Sequence, residues 1–544
     1  MYIRKIHIEN FKKFKGSFDL EFNNDLNIIV GDNEAGKSTI LEAIYLALTG
    51  MFRCRYLRNE LSPYIFNKGV VDDYISSVKA GIAKDLPKVL IELYFEGEDA
   101  PAIFRGSHNT GNTDACGLSF AIVFNDRFKE EYESIINNAI EIKSLPIEYY
   151  DIVWDSFAWD HITSRSIPLK VALIDSDGGK FPNGSDVYIS RIIKDNLDLD
   201  DIVQITQAFR GLQDDFSSNQ SIADINDNIK DVANISQKEI GISVDMSSRN
   251  AWESLLMTYL DNIPFTYVGK GEQAVIKTNL ALGNKKTSNA GVILMEEPET
   301  HLSHTKMSEL ISYIQKHCLG KQVIISTHSS FVANKLGLSK LILLNGVKTL
   351  KLSELSKDTE TYFEVLPGYN TLRLILCKKA ILVEGPSDEL VVQRAYLDKN
   401  GKLPIEDGLD VISAYNLSFL RFLEIADKLE LNVCVVTDND GDIAALQKKY
   451  SAYTSKSHIR LCYDKQVYTV PYEIGGKKYN CNTLEPNLLR ENSKEILCGV
   501  LAKEFNTEDE LRLYMKEHKT DCALMIFKSE TKIKYPQYIL DAIQ

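Results

Sequence analysis

The chain opens on an alternating run, Tyr2, Arg4, Ile6 and Ile8, and reaches Asn10-Phe11-Lys12-Lys13-Phe14, the pattern of a strand running into a turn. A second apolar run over 26–30 stops at Gly31. A helix is expected from Lys37 or Ser38, because Ile40, Leu41, Ile44, Tyr45 and Leu48 recur on one face, and Thr49-Gly50 supplies the left-handed cap that ends it. Strands are expected over 89–95 and 118–124, with a polar loop over 106–117 between them. From 195 to 250 the chain is rich in Asp, Asn, Ser and Gln, with helical apolar spacing in places and no sustained heptads. That predicts an inserted helical module over about 190–260, a candidate dimerisation element. Two buried-strand runs, 291–295 and 322–326, bracket a helix over about 305–318. The stretch 341–370 reads as short strands and a connection.

A regular alternation then sets in: strand 380–383, helix 387–398, strand 409–414, helix 418–429, strand 432–437. That order predicts a second, mainly parallel sheet. The fold class is therefore α/β, with a first domain over 1–350 and a second over 371–544.

Composition adds boundaries. At 544 residues, with 44% hydrophobic and 25% charged residues, the chain is long enough for two or more cores of ordinary globular character. Its net charge of -14 runs against the basic face usual in DNA-binding proteins. A site that concentrates carboxylates around bound cations is compatible with that sign, since the ions reverse the local field. Local basic stretches such as Arg4, Lys5, Lys12, Lys13 and Lys15, or Lys516 and Lys519, read singly as solvated surface. Nine cysteines show no Cys-x-x-Cys pair or zinc-type spacing, which predicts reduced thiols in a cytoplasmic protein. The N-terminus lacks the basic-then-apolar order of a signal peptide, and no apolar run is long enough to span a bilayer.

Chemistry enters first at Gly31-Asp32-Asn33-Glu34-Ala35-Gly36-Lys37-Ser38-Thr39, a phosphate-binding pattern set between a strand and a helix. Backbone N–H groups around Gly31, Asn33, Gly36 and Thr39 and the helix N-terminus would cradle phosphate oxygens. Lys37 would reach the β and γ phosphates of ATP, and Ser38 would hold Mg²⁺. Downstream, the apolar run 292–295 ends in Glu296-Glu297-Pro298, which resembles the Walker B strand of ABC-type ATPases. Glu296 would bind the metal through a water and Glu297 would act as general base. Aspartate is usual at the first of these positions, so Glu296 departs from the pattern. Ser326-Thr327-His328-Ser329, after a second apolar strand, resembles a switch histidine that contacts the γ-phosphate. Gly269-Lys270-Gly271-Glu272-Gln273 stands where the ABC signature belongs and departs from its usual wording. As a signature, Gly271 and Gln273 would face ATP held by another subunit, which makes the ATPase a dimer.

The second half clusters acids at strand ends. Glu384 ends one expected strand and Asp388 opens the next helix; Asp438-Asn439-Asp440-Gly441-Asp442 follows another strand. In a parallel sheet both ends open on one edge, so these carboxylates are expected to converge. Oxygen ligands of this kind suit Mg²⁺ or Mn²⁺, and two such ions serve phosphodiester cleavage. A calcium helix-loop-helix is excluded by Lys449 at the twelfth position and by the preceding strand.

This arrangement resembles the Toprim domain: a glutamate after the first strand and Asp-x-Asp after a later one. With an ABC-type P-loop ATPase carrying a helical insert in front, the chain resembles the overcoming-lysogenization-defect (OLD) family of nucleases. The resemblance implies a Rossmann-like parallel-sheet Toprim domain with metal carboxylates at Glu384, Asp388, Asp438 and Asp440. It adds Glu485, in Thr483-Leu484-Glu485-Pro486, as a further metal ligand, and Lys519, in Lys519-Thr520-Asp521-Cys522-Ala523-Leu524, steadying the scissile phosphate. It further implies DNA as partner, a homodimer or higher homo-oligomer, and a role in anti-phage defence beside a helicase-like protein (Gabija-type) or a retron reverse transcriptase. Two other classes stay open: a repair ATPase that holds DNA ends without cutting, and an ATP-sensing scaffold subunit that controls a partner.

Overall fold

The computed structural model describes residues 1–544 apart from 33, 53–54, 60, 83–84, 99, 138–143, 176–196, 233–241, 244–251, 253–256, 283–289, 318–319, 330–331, 333–335, 337–339, 366–372, 375–376, 378, 415–418, 469–472 and 475–476. Much of the expected insert over 190–260, and the start of the expected second domain, lie outside the described residues. The fold is α/β, with two compact units: Met1–Asn27 with Ser38–Thr327, and Ile28–Lys37 with His328–Gln544.

The first unit carries an antiparallel sheet. Tyr2–Glu9 pairs with Ser17–Glu21 on one side and Val89–Glu96 on the other; Val89–Glu96 pairs with Ala115–Phe124, which pairs with Tyr150–Ser156. The inward-facing positions of these strands, among them Ile6, Ile8, Ile91, Leu93, Phe120 and Ile122, are fully buried. The same unit holds three parallel strands, Val171–Asp175, Val292–Glu296 and Gln322–Thr327. Gln322 ties the first strand to the last of these. Its side chain accepts from the Ile3 N–H at 2.9 Å and donates to the carbonyls of Ile3 and Asn23 at 2.7 and 2.8 Å. Two described helices of the insert, Leu199–Ser217 and Gln220–Val232, leave Leu199, Leu212 and Phe216 exposed.

In the second unit, Leu341–Asn345 lies parallel to the Gly31 strand and antiparallel to Lys348–Lys351. A helix, Lys357–Val365, follows where only short strands and a connection were expected. Its sequence, KDTETYFEV, is too polar to show an apolar period. The helix Phe419–Leu429 is anchored to this segment through Glu424, whose carboxylate accepts from the Ser356 N–H and from the hydroxyls of Ser356 and Thr359 at 2.6 to 2.8 Å.

The expected parallel sheet is present as four strands in the order Leu409–Ser413, Lys379–Val383, Asn432–Val436, Ile459–Cys462. One face packs Ile381, Val383, Cys434 and Val436 against Val391 and Val392 of the helix Pro386–Asn400, Leu484 and Leu488 of Leu484–Glu491, and Ile539 of Gln537–Ala542. All four strands run one way, so the loops after Val383 and Val436 open at the same edge.

Candidate functional site

The phosphate-loop segment is shaped by close backbone approach. A Cβ on Gly31 would lie 2.4 Å from the Leu344 carbonyl oxygen, so no side chain fits there. Gly36 sits at φ 107, a conformation that favours glycine. Between them the Ala35 N–H donates to the Asp32 carbonyl at 3.1 Å. Asn33 lies outside the described residues. Lys37 is buried; its Nζ donates to the carbonyls of Gly31 and Asp32, both at 2.9 Å, and lies 3.4 Å from His328 Nδ1. The ammonium thus rests on its own loop, with the histidine expected at the γ-phosphate beside it. Ser38 and the buried Thr39 follow on the first turn of the helix Lys37–Thr49.

Glu296 is the last residue of Val292–Glu296, in register with Ser326. Glu297 follows at φ 39, with its N–H on the Ser326 carbonyl at 3.0 Å. A non-glycine residue in that region carries strain, and such residues concentrate at functional sites. The signature-like segment opens the helix Lys270–Leu282. Its two key residues have contacts within the chain: a Cβ on Gly271 would meet the His301 carbonyl oxygen at 2.5 Å. The Gln273 amide donates to the carbonyls of Phe265 and Val268 at 2.8 and 2.7 Å.

The carboxylate site is built at the open edge of the parallel sheet. Glu384 directly follows Lys379–Val383, and its Oε1 accepts from the Thr437 hydroxyl at 2.6 Å and the Asp438 N–H at 2.9 Å. These bonds tie the ends of two neighbouring strands. Pro386 starts the next helix, with Asp388 Oδ2 accepting from the Gly385 N–H at 3.2 Å. Asp440, at φ 47 and exposed, accepts from Asn480 Nδ2 at 2.9 Å. The buried Asn439 shapes this loop by donating to the carbonyls of Asp464 and Gln466 at 2.7 and 2.8 Å. Glu485, buried in the first turn of Leu484–Glu491, pairs with Lys519 at 3.3 Å.

Electrostatics bind these groups into one cluster. Burial, then the charges of Glu384 and Glu485, push Asp388 up to about 7. Burial also lifts Asp438 well above the usual carboxylate range, with Asp388, Glu384, Glu485 and Asp440 adding to it. Tyr538 is raised in the same way, by burial and then by Asp438 and Asp388. Burial disfavours the Lys519 ammonium, yet Glu485 beside it, with Asp438 and Asp388, holds its pKa above the ordinary value. Among the described residues, no three His, Cys, Asp or Glu side chains are grouped closely enough to hold a metal ion as they stand. The expected convergence is therefore an electrostatic neighbourhood, not a finished ligand cage. Its donor chemistry still fits a hard divalent cation: all-oxygen, acidic, and with neighbouring negative charges raising the proton affinity of Asp388 and Asp438.

Sequence reasoning missed Thr437 and Asn439. Both are buried polar residues at a strand end, where a threonine reads as ordinary strand propensity. The signal available was their adjacency to Asp438.

Residues 5–289, more than half of the chain, match the AAA domain, and the chain belongs to that family. It is thus an AAA-domain ATPase by class, and the matched stretch holds the phosphate loop, Gly271 and Gln273. Residues 375–440 match the overcoming lysogenization defect protein-like TOPRIM domain, a stretch that includes Glu384, Asp388, Asp438 and Asp440. Glu485 and Lys519 lie beyond it. The DNA replication and repair protein RecF of Clostridium kluyveri is 34% identical over 100 residues, 18% of this chain and 25% of that protein. The RecF protein of Clostridium tetani is 26% identical over 159 residues, 28% of this chain and 40% of that protein. These matches span less than half of either relative. An SMC head domain from Thermotoga maritima superposes with a TM-score of 0.29 at 12% identity, covering 64% of this chain and 99% of that one. Among the described residues no helix is long and apolar enough to cross a membrane.

Proposed function

We propose that this chain is a divalent-metal-dependent DNA endonuclease whose ATPase domain binds and hydrolyses ATP, acting in bacterial anti-phage defence. The observation that carries the cleavage reading is the tie between Glu384, Thr437 and Asp438, which holds the Glu384 carboxylate against the Thr437 hydroxyl and the Asp438 N–H at adjacent strand ends of a parallel sheet. Glu485 and Lys519 complete the neighbourhood from helices distant in sequence.

Glu384, Asp388, Asp438, Asp440 and Glu485 are the residues that would hold Mg²⁺ or Mn²⁺. When bound, such an ion polarises a phosphodiester and acidifies water. The Thr437 hydroxyl and Asp438 N–H orient Glu384 toward that position. Lys519, half-exposed and held charged by Glu485, would meet a phosphate oxygen. In the ATPase domain, Lys37 would exchange the carbonyls of Gly31 and Asp32 for the β and γ phosphates. Glu297 would take the general-base role and His328 the γ-phosphate contact, with Ser38 and Glu296 on Mg²⁺. Gly271 and Gln273 would read ATP from a second subunit, which makes the working form a homo-oligomer. A defence partner of helicase or reverse-transcriptase type belongs to the same proposal, as does a cytoplasmic location.

The test is supercoiled plasmid incubated with the protein and Mg²⁺ or Mn²⁺, with and without ATP. Relaxed or linear DNA supports the reading; intact plasmid under every condition, with DNA bound, favours an ATPase that holds DNA without cutting. The partial likeness to a DNA replication and repair protein supports that second reading.

A further inference from the structure

Cys434 and Cys462 are 28 residues apart in sequence, yet their sulfurs lie 3.4 Å apart. The topology brings them together. Asn432–Val436 and Ile459–Cys462 are parallel neighbours, with Val436 in register with Cys462. Cys434, two residues before Val436, therefore points to the same face as Cys462. The two differ in access. Cys434 is buried in the core of the sheet, while Cys462 is half-buried on the edge strand. Cys462 also lines a cavity of about 690 Å³ together with Arg460, Tyr463, Asp541 and Gln544.

We infer that Cys434 and Cys462 form a reversible dithiol oxidation site, with Cys462 the peroxide-reactive thiol and Cys434 its resolving partner. The two thiols share one S–H···S contact, in which either sulfur can donate; with Cys434 as donor this contact, and then Arg460 nearby, lowers the Cys462 pKa although burial opposes it. The Cys462 thiolate attacks one oxygen of hydrogen peroxide: an S–O bond forms, the O–O bond breaks, and hydroxide leaves to become water with the proton lost by Cys462. The Cys434 sulfur then attacks the sulfenic sulfur. An S–S bond forms, the S–O bond breaks, and the second hydroxide leaves as water with the Cys434 proton. Two thiols lose two electrons and one peroxide becomes two waters.

The bond would reach the carboxylate site through one residue. The Thr437 N–H donates to the Cys462 carbonyl at 3.2 Å, and the Thr437 hydroxyl donates to Glu384 at 2.6 Å. Closing the gap between the sulfurs pulls the edge strand against the segment that carries Thr437 and Asp438. Oxidation therefore lowers DNA cleavage, a consequence that rests on the proposed nuclease reading.

The experiment treats the full-length protein with hydrogen peroxide, quenches with catalase, alkylates under denaturing conditions and maps the peptides by mass spectrometry. A Cys434–Cys462 disulfide that dithiothreitol reverses is expected. Cys462→Ser should leave Cys434 as a free thiol, and Cys434→Ser should leave a Cys462 sulfenic acid that dimedone traps. Free alkylation of both cysteines after peroxide, or linkage of Cys462 to another cysteine, overturns the proposal, and Cys462→Ser on the half-buried edge keeps the test open if Cys434→Ser fails to fold. Plasmid nicking by wild type should fall roughly ten- to a hundredfold on oxidation, the scale of an ångström-level displacement, and be unchanged in Cys462→Ser. A disulfide without that fall overturns the coupling to the carboxylate site. A reduced wild type that never nicks overturns the nuclease reading and leaves the disulfide result standing.

Discussion

The phosphate loop and the carboxylate edge handle charge in opposite ways. Lys37 is one buried cation resting on neutral carbonyls of its own loop, five and six residues away in sequence. Glu384, Asp388, Asp438 and Glu485 are acids gathered from a hundred residues of chain, with Lys519 the cation paired to Glu485. The first arrangement is satisfied before any ligand arrives. The second raises the proton affinity of Asp388 and Asp438 and gains most from a cation. A satisfied loop tolerates an empty state, whereas a cluster of repelling carboxylates is unstable above the pKa values it has raised. The two sites should therefore respond differently to mutation, metal and pH.

The largest expected effect is the loss of DNA cleavage in Glu384→Ala. This variant removes the carboxylate that joins the two strand ends, and plasmid nicking should drop to background while ATP hydrolysis persists. Next in size, Glu297→Gln should slow ATP hydrolysis by about 10² to 10⁴ while ATP still binds, since the amide keeps the shape and loses the base. Phosphate release and nucleotide binding, measured together, separate that outcome from a folding defect. Light scattering of the same variant with ATP should show a larger assembly if Gly271 and Gln273 read nucleotide across subunits.

Thr437→Val should cost less, about 10- to 100-fold in nicking, because it removes one hydrogen bond that orients Glu384 and no acid. A shift of the Mg²⁺ dependence to higher concentration marks that positioning role. The smallest effect concerns stability. The folded-state pKa of Asp438 is raised, so its contribution favours folding below the unfolded value near 3.9 and turns against it as pH rises through the folded value. Asp438→Asn should then raise the melting temperature of metal-free protein by a few degrees at pH 8 and by little at pH 5. Mg²⁺ should raise the wild-type midpoint at pH 8 more than that of the variant. Equal midpoints at both pH values would detach Asp438 from the charged cluster.

The same contrast explains what the sequence reveals. Gly31, Gly36 and Lys37 act within one loop, so their spacing alone reports them. Glu384 and Asp438 are legible because each ends an apolar run, and the alternation of helices and strands places those ends on one edge. Thr437 acts across two strands, and nothing in its neighbours announces that it donates to Glu384. Glu485 and Lys519 enter the sequence reading through family likeness; their 3.3 Å ion pair depends on how two distant helices pack. The helix Lys357–Val365 was hidden because its polar sequence has no apolar stripe. Strands such as Tyr150–Ser156 escaped because mixed burial along an antiparallel sheet blurs the period. Gln273 carries a detail that its motif position does not announce: its amide nitrogen donates to the carbonyls of Phe265 and Val268.

The central claim is that two chemically separate centres share this chain, and one paired measurement tests it most directly. ATP hydrolysis and Mg²⁺- or Mn²⁺-dependent plasmid nicking are read on Lys37→Ala and Asp438→Ala, with thermal melts to confirm folding. The account predicts a crossed result: Lys37→Ala loses hydrolysis and still nicks, while Asp438→Ala hydrolyses ATP and does not nick. Full nicking by folded Asp438→Ala, or undiminished hydrolysis by Lys37→Ala, would contradict it.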